Sequence, residues 1–501
     1  MEPLKTIRPE LLTMSEEQIR VLMPYFVVFG GAIVAMLGSV LKKLSPKWPV
    51  FIITLATLFA GVWVSIGLIP EGPVTLFNGM MAADSFSNFF NTVFLLAAAL
   101  SVMVSFRYLD REGLQLPEYN VLILFSVLGM MLLASALDFI VLFIALELMS
   151  LAVYVLVGFR RADRRSNEAA MKYFILGSAA SAVLLYGTAL LYGCTGTTAI
   201  KGVVHLAQAE PAAVTPVFVL GVAMVVFGFL FKVAAAPFHM WMPDVYEGAP
   251  VPVTGFMTTG LKAAAFAAFF RVFINLGLAQ GATEVVQRHF HDIFWVCAVL
   301  TMVIGNFVAL TQTNLKRMLA YSSIAHTGYL LVGFVTGTRS ELGFAAGTMY
   351  VVAYAIMNLG AFAVLTLLSG KDDSGLNLHD LSGLSRRHPI LAFALSVFLL
   401  SMAGIPPTAG FAAKYLLFSS AVQAGEISLV VIAVLCSAVS VYYYLRVLVY
   451  MYMHEPIGSP QTLRVSIWAG VAVAAMVVLT LQVGLIPERM VNIAKKAVIG
   501  M

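Results

Sequence analysis

Charge and cysteine are scarce in this chain. Only 11% of its residues are Asp, Glu, Lys or Arg, where a soluble domain carries about 25%. Beside a hydrophobic content of 60%, that scarcity excludes a water-soluble domain and leaves an integral membrane protein. Cys194, Cys297 and Cys436 are isolated in or beside apolar stretches, with no CxxC, CxxCH or Cys/His cluster. Iron–sulfur, zinc and covalent haem are therefore unsupported. There is no GxGxxG after a strand, no Walker A sequence and no HExxH, so machinery for hydride transfer or ATP hydrolysis is missing. Gly/Ser-rich linkers are missing too. The net charge is +5, but the basic residues form no nucleic-acid patch.

What the chain has instead is long apolar runs. A spanning helix needs about 20 mostly apolar residues. That rule yields about fourteen segments, near 17–41, 49–70, 83–107, 117–135, 136–159, 166–194, 213–244, 251–279, 290–312, 315–338, 341–369, 389–423, 427–453 and 463–486. The expected fold is an all-α polytopic membrane protein, one transmembrane domain over residues 1–501. The first segment follows a tail with Glu2, Glu10, Glu16 and Glu17. It lacks a basic n-region and a cleavage site, so it is expected to be retained. The longest polar loop is 370–388. Lys42, Lys43, Lys47, Arg107, Arg111, Arg160, Arg161, Arg164, Arg165, Lys316, Arg317, Lys371, Arg386, Arg387 and Arg464 fall in alternate loops, and the opposite loops hold only Lys201, Arg288 and Arg339. The positive-inside rule then places both termini on the outer side.

Four ionisable residues sit inside these apolar segments: Glu147, Lys232, Lys262 and Lys414. A charge at the bilayer centre costs at least ~2.5–3.5 kcal/mol. Helical rise of ~1.5 Å per residue places all four roughly 14–20 Å from the nearest polar markers, near the midplane of a ~30 Å core. A lysine stem cannot snorkel that far. Lys172 lies nearer a segment end. It either pairs locally with Glu168, one turn earlier, or takes part in proton movement. Arg271 and Arg446 are also nearer segment ends and are expected to be interfacial or structural. His239 and His326 are candidate proton relays, because imidazole takes and gives a proton near neutral pH. Tyr321 is a hydroxyl partner or simply packing.

Burial disfavours the charged form of a lysine, and a nearby carboxylate restores it. A lysine beside an adjustable carboxylate is thus a switchable proton site. Two of the segments also look broken. The seventh contains Pro237 and Pro243, and the twelfth Gly404, Pro406, Pro407 and Gly410. Proline removes a backbone donor, and the freed carbonyls are expected to be hydrated or held by protein. The breaks fall five helices apart. YVLVGF at 154–159 is echoed by YLLVGF at 329–334, at the same helix spacing. An odd repeat of five would set the two units in opposite orientations, as in inverted-repeat transporters.

The stretches LFIALELMSLAVYVLVGF, EAAMKYFILGSAASA, FKVAAAPFHMWMPDVYEGAPVPV, LTQTNLKRMLAYSSIAHTGYLLVGF, SMAGIPPTAGFAAKYLLF and VYYYLRV closely resemble the subunit N family of bacterial respiratory complex I, the NADH–quinone oxidoreductase. The resemblance spans about residues 120–450. It implies an antiporter-like subunit of 14 helices, with inverted repeats of helices 4–8 (117–279) and 9–13 (290–453) and broken helices 7 and 12. Helices 1–3 would cover 17–107 and helix 14 residues 463–486. The family's glutamate of helix five falls on Glu147, and its lysines of helices seven, eight and twelve on Lys232, Lys262 and Lys414. Lysine at the last position, and DVY in MPDVYEGAP, resemble subunit N rather than its sister M. The lack of a long C-terminal lateral helix argues against subunit L.

The resemblance implies proton translocation across a bacterial inner membrane, driven by quinone reduction in other subunits. No cofactor is expected in this chain; NAD, FMN, iron–sulfur clusters and quinone would belong elsewhere in the complex. Expected partners are the antiporter-like M subunit, small K/J/A-type subunits and the lipid bilayer, with no nucleic acid. In the implied order Glu147 modulates Lys232, Lys262 and His326 pass the proton laterally, and Lys414 releases it. The alternatives are a quinone-reducing catalytic subunit, which the missing redox motifs oppose, a subunit of a multi-subunit Na⁺/H⁺ antiporter of the same fold, or a scaffold retaining inert charges.

Overall fold

The structure is a computed structural model describing residues 14–40, 47–68, 72–209, 214–275, 284–337, 342–456, 463 and 465–501. Glu2, Glu10, Lys42, Lys43, Arg339 and Arg464, used above, lie outside the described residues. Three helices open the chain: α1 (Glu16–Val40), α2 (Lys47–Gly67) and α3 (Ser85–Arg111). Between α2 and α3 a short antiparallel hairpin pairs Val74–Leu76 with Met81–Ala83. The sequence reading expected helices alone. The hairpin turn forms at Phe77, Asn78 and Gly79, all at positive φ, and it satisfies backbone groups that a loop at the membrane edge would otherwise leave open.

The next helices are α4 (Glu118–Ser135), α5 (Phe139–Val157), α6 (Arg164–Thr195), a short α7 (Ile200–Ala209), α8 (Pro216–Lys232), α9 (Trp241–Gly248), α10 (Val251–Phe256) and α11 (Lys262–Asn275). Then follow α12 (Glu284–Thr311), α13 (Leu315–Thr336), α14 (Gly343–Leu368), α15 (Leu384–Arg387), α16 (Pro389–Ala403), α17 (Ala409–Gln423), α18 (Ile427–Met453), α19 (Ile467–Leu485) and α20 (Pro487–Ile499). Polar residues fix the starts. Asp84 caps α3 through Ser87 N at 2.8 Å, Asp138 caps α5 through Ile140 N at 2.8 Å, and Asn314 caps α13 through Arg317 N at 3.2 Å. Each side-chain oxygen takes an amide that the helix leaves unpaired.

Among the described residues, twelve helices are long and apolar enough to cross a membrane. About fourteen segments were expected. The remaining two, 213–244 and 389–423, are the interrupted ones, where α8 and α16 are apolar but shorter. The spans differ in burial. The stretch Val251–Asn275 and α13 are each 94% buried, whereas α18 and α19 are 33% buried. The first two therefore form the interior, and the apolar faces of the outer helices are left for lipid or neighbouring chains.

Several charges assigned to loops or interfaces are internal. Arg271 is fully buried and forms a bidentate pair with Asp84, at 2.8 and 2.7 Å. It is a structural clamp between α11 and the start of α3, not an interfacial group. Arg446 is structural as expected, donating to Leu310 O at 2.9 Å and Gln312 O at 2.6 Å. Arg160 and Lys316, counted above among topology-setting loop charges, are buried around Asp373. Asp373 Oδ2 accepts from Lys316 Nζ at 3.1 Å, its Oδ1 accepts from Tyr108 OH at 2.7 Å and lies 3.3 Å from Arg160 Nη2. Lys316 also donates to Ala249 O at 2.6 Å. Burial acts to raise the Asp373 carboxyl, but Lys316, Arg160 and the Tyr108 hydroxyl together hold it below the usual carboxylate range.

Candidate functional site

Glu147, Ser150 and Tyr154 share one face of α5 by their spacing of three and four residues. Lys232 meets that face. Its Nζ lies 3.2 Å from Ser150 Oγ and 3.5 Å from Tyr154 OH. Among the described residues no ion pair joins Glu147 to Lys232, and Glu147 Oε1 is buried without a hydrogen-bond partner. The direct Glu–Lys contact that would make the simplest switch is thus absent.

Lys232 does not lie within the continuous helix that a uniform rise from Lys232 to Asp244 supposes. It is in fact the last residue of α8. Val233 to Met240 form an irregular bridge to α9, with Ala234 in the left-handed region at φ 57°. Of the two expected kinds of partner for the freed backbone, protein side chains are the ones seen here. Thr327 Oγ1 donates to Val233 O at 2.8 Å, Trp241 Nε1 to Phe231 O at 3.1 Å, and Ala236 N donates to Thr301 Oγ1 at 2.8 Å.

The second interruption, between α16 and α17, is satisfied by the candidate residue itself. Lys414 Nζ donates to Met402 O at 2.9 Å, Ala403 O at 3.2 Å and Ser437 Oγ at 2.9 Å. A lysine with three donors fits two orphaned carbonyls and a hydroxyl. Gly404 ends α16 at φ 88°, and Gly410 N donates to Ser401 Oγ across the break at 3.0 Å.

Lys262 is buried directly after a π-helical turn, Met257–Leu261. No residue pattern announced that turn, although such turns gather at functional sites. Lys262 Nζ donates to Ser323 Oγ at 2.6 Å and to Ser323 O at 2.5 Å. It also lies 5.2 Å from the Tyr354 ring centroid. His326 packs on the other side, 5.0 Å from Tyr354 and 5.7 Å from Tyr329. Lys414 Nζ sits 5.0 Å over the Tyr329 ring. Lys262, Tyr354, His326, Tyr329 and Lys414 therefore form one uninterrupted series of contacts through the interior. Both His326 nitrogens are engaged, Nδ1 with Tyr350 OH at 2.7 Å and Nε2 with Tyr444 OH at 3.3 Å. A neutral imidazole has one N–H and one lone pair, so one tyrosine donates while the other accepts. Tyr444 OH is also hydrogen-bonded to Ser322 Oγ.

The remaining candidates lie apart from this series. Lys172 is half-exposed and paired with Glu168 at 3.3 Å, as its local reading anticipated, and with Asp244 at 2.8 Å. Asp244 and Glu247 are both bridged by Arg317, at 2.9 and 2.8 Å. His239 is half-buried in the bridge after α8, and its Nδ1 has no hydrogen-bond partner. Tyr321 packs under the Arg317 guanidinium, 6.0 Å from its ring centroid. The tyrosines that serve the histidine are Tyr350 and Tyr444. Tyr444 stood in the quoted VYYYLRV, but nothing in a run of three tyrosines says which one turns inward.

No grouping of three or more His, Cys, Asp or Glu side chains arranged to hold a metal occurs among the described residues. A family model described as NADH:quinone oxidoreductase/Mrp antiporter, TM, matches residues 136–440. NADH-quinone oxidoreductase subunit N of Trichlorobacter lovleyi is 46% identical over 448 residues, 87% of this chain and 90% of that protein. A chain of respiratory complex I from Thermus thermophilus, solved with bound aureothin, is 35% identical with a TM-score of 0.78, covering 94% of this chain and 99% of that one. A chain of the Mrp complex from Dietzia sp. has a TM-score of 0.83 over 97% of both chains at 21% identity, a likeness of fold.

Proposed function

The chain belongs to the NADH:quinone oxidoreductase/Mrp antiporter family, and from that membership we propose that it is the proton-translocating N subunit of an NADH-quinone oxidoreductase. The observation that carries this reading is the set of three interior lysines, Lys232, Lys262 and Lys414, none with an ion-pair partner among the described residues. A permanently paired lysine is held charged. A lysine resting only on hydroxyls, carbonyls and ring faces can release its proton, and Lys262 and Lys414 are linked through His326.

In this reading Glu147 acts on Lys232 at a distance, with Ser150 and Tyr154 between them. Lys262 and His326 carry the lateral step, and Lys414 delivers the proton outward. The order is what the resemblance implies for Glu147, Lys232, Lys262 and Lys414. Lys172 belongs to the Asp244–Arg317–Glu247 cluster and would tune entry rather than carry the proton. NAD, FMN, iron–sulfur clusters and quinone would act in other subunits. Partners would be the M-type antiporter-like subunit and the small membrane subunits, the assembly lying in a bacterial inner membrane with both termini outward. The two interrupted helices support two units, 117–279 and 290–453, of opposite orientation. The sodium antiporter alternative draws on likeness of fold alone.

The test uses the assembled complex in inverted membrane vesicles. Lys232→Met removes one proton site. Lys414→Arg keeps donors for the Met402 and Ala403 carbonyls but cannot give up its proton. Both variants are expected to lose most proton uptake per quinone reduced, or to slow quinone reduction with it. Wild-type uptake and reduction in both would overturn the assignment.

A further inference from the structure

Thr327 on α13 is fully buried and has one hydroxyl proton to give, yet two carbonyls stand within its reach. Its Oγ1 lies 2.8 Å from Val233 O and 3.2 Å from Ser323 O. Val233 follows Lys232 directly, and its carbonyl has lost its helical partner, because the residue four positions on is Pro237, which has no N–H. Ser323 O lies one turn back along α13, and Lys262 Nζ donates to it at 2.5 Å. We propose that Thr327 is a hydroxyl switch coupling the two lysines: it holds the Val233 carbonyl while Lys262 donates to Ser323 O, and it turns back to Ser323 O when Lys262 gives up its proton.

A carbonyl oxygen has two lone pairs. Within α13 the Thr327 amide takes one lone pair of Ser323 O. Lys262 and the Thr327 hydroxyl therefore compete for the other. A charged donor makes the stronger bond, which leaves the hydroxyl to Val233 O, the shorter of its two contacts. A neutral amine donates more weakly, and the threonine then bonds back to the carbonyl four residues earlier, as mid-helix threonines do. Val233 O is left as a buried acceptor without a donor, and the bridge must open to find one. That bridge is held by amides of Val233, Ala234 and Ala235, which bond Phe229 O, Phe231 O and Leu230 O at 2.9–3.0 Å. Loosening it frees the end of α8, where Lys232 sits. The coupling is reciprocal, so an opened bridge also favours the neutral form of Lys262. The other titratable groups about Lys262 are Tyr354 on α14, its ring centroid 5.2 Å from Nζ, His326 on α13 beyond that ring, and Tyr246 on α9 beside Ser323. Lys232 ends α8, and the Arg271–Asp84 pair lies further along α11.

This inference rests on the lysine path proposed above, but its test reads the bridge rather than pumping. Amide exchange of residues 233–236 is measured by mass spectrometry on the assembled complex. Lys262→Met removes the competing donor, and Thr327→Val removes the hydroxyl at nearly constant shape. Each is expected to speed exchange about fivefold, the effect of one lost hydrogen bond. The double variant is expected to stay at about fivefold, since both changes release the same carbonyl. Thr327→Ser keeps the hydroxyl and should exchange like the parent, and adding Lys262→Met to it should restore the acceleration. If Thr327→Val does not assemble, Thr327→Cys, with its weak S–H donor, takes its place in the cycle. Parental exchange in Lys262→Met or in the hydroxyl-free variant would overturn the switch. So would a double variant near ~25-fold, the product of two independent losses. Either result beside lost pumping in Lys232→Met and Lys414→Arg would sink only this inference. Normal pumping in those two variants would sink the path itself, whatever the exchange.

Discussion

Buried charges in this chain are of two kinds, and pairing separates them. Arg271 is fully buried and paired bidentately with Asp84, whereas Lys262 and Lys414 are buried with no ion-pair partner among the described residues. Removing one member of a buried pair leaves the other uncompensated, typically at ~3–5 kcal/mol. Asp84→Ala is therefore expected to lower the thermal inactivation midpoint of the assembled complex strongly. Adding Arg271→Leu should recover much of the loss, because the lone guanidinium is then gone. An Asp84→Ala complex as heat-resistant as the parent would contradict the clamp. The sequence left Arg271 as interfacial or structural, since the partner lies 187 residues away and no spacing rule finds it.

At the scale of elements, the two interruptions use similar sequence signals and different chemistry. Proline and glycine marked both breaks in advance. Which groups satisfy the freed backbone was not legible, because Thr301, Thr327 and Trp241 come from other elements or the far side of the break. At the second break Gly410 faces Ser401 so closely that an added Cβ would lie 1.8 Å from its carbonyl oxygen. Gly410→Ala is expected to force α16 and α17 apart, displace Lys414 and cut proton uptake severalfold. Gly30→Ala on α1 meets nothing within 4 Å and should be neutral or stabilising by about 0.5–1 kcal/mol. Equal uptake and equal complex yield in the two variants would argue against the strained approach. The π-turn before Lys262 is an opposite case, holding Gly260 but no proline, with no local pattern that marks it as a break.

Across the whole molecule, the polar loop 370–388 is tied to three distant parts of the chain through Asp373. Tyr108 on α3, Arg160 after α5 and Lys316 on α13 all converge on it. Because its carboxyl is held below the usual range, its stabilisation is fully present above the unfolded carboxylate value and is lost as pH falls through the folded one. Amide exchange of the loop in the membrane-embedded complex should thus stay slow down to about pH 4 and quicken below it. Asp373→Asn should exchange faster at neutral pH and lose that acid step. A wild-type loop whose exchange rate is flat through the same acid range would contradict the tie.

The sequence by itself determined the membrane class, the long apolar spans, the positions of both breaks and the four intramembrane charges. These follow from local rules: apolar length, proline geometry and the cost of an isolated charge in hydrocarbon. The tertiary structure alone decided what each charge rests against. It separated Arg271, paired with Asp84, from lysines that have no ion-pair partner among the described residues, set Tyr321 against Arg317, and brought the hydroxyls of Tyr350 and Tyr444 to His326. Those outcomes depend on which helix faces meet, and a single chain's residue spacing does not encode how one helix is rotated against another.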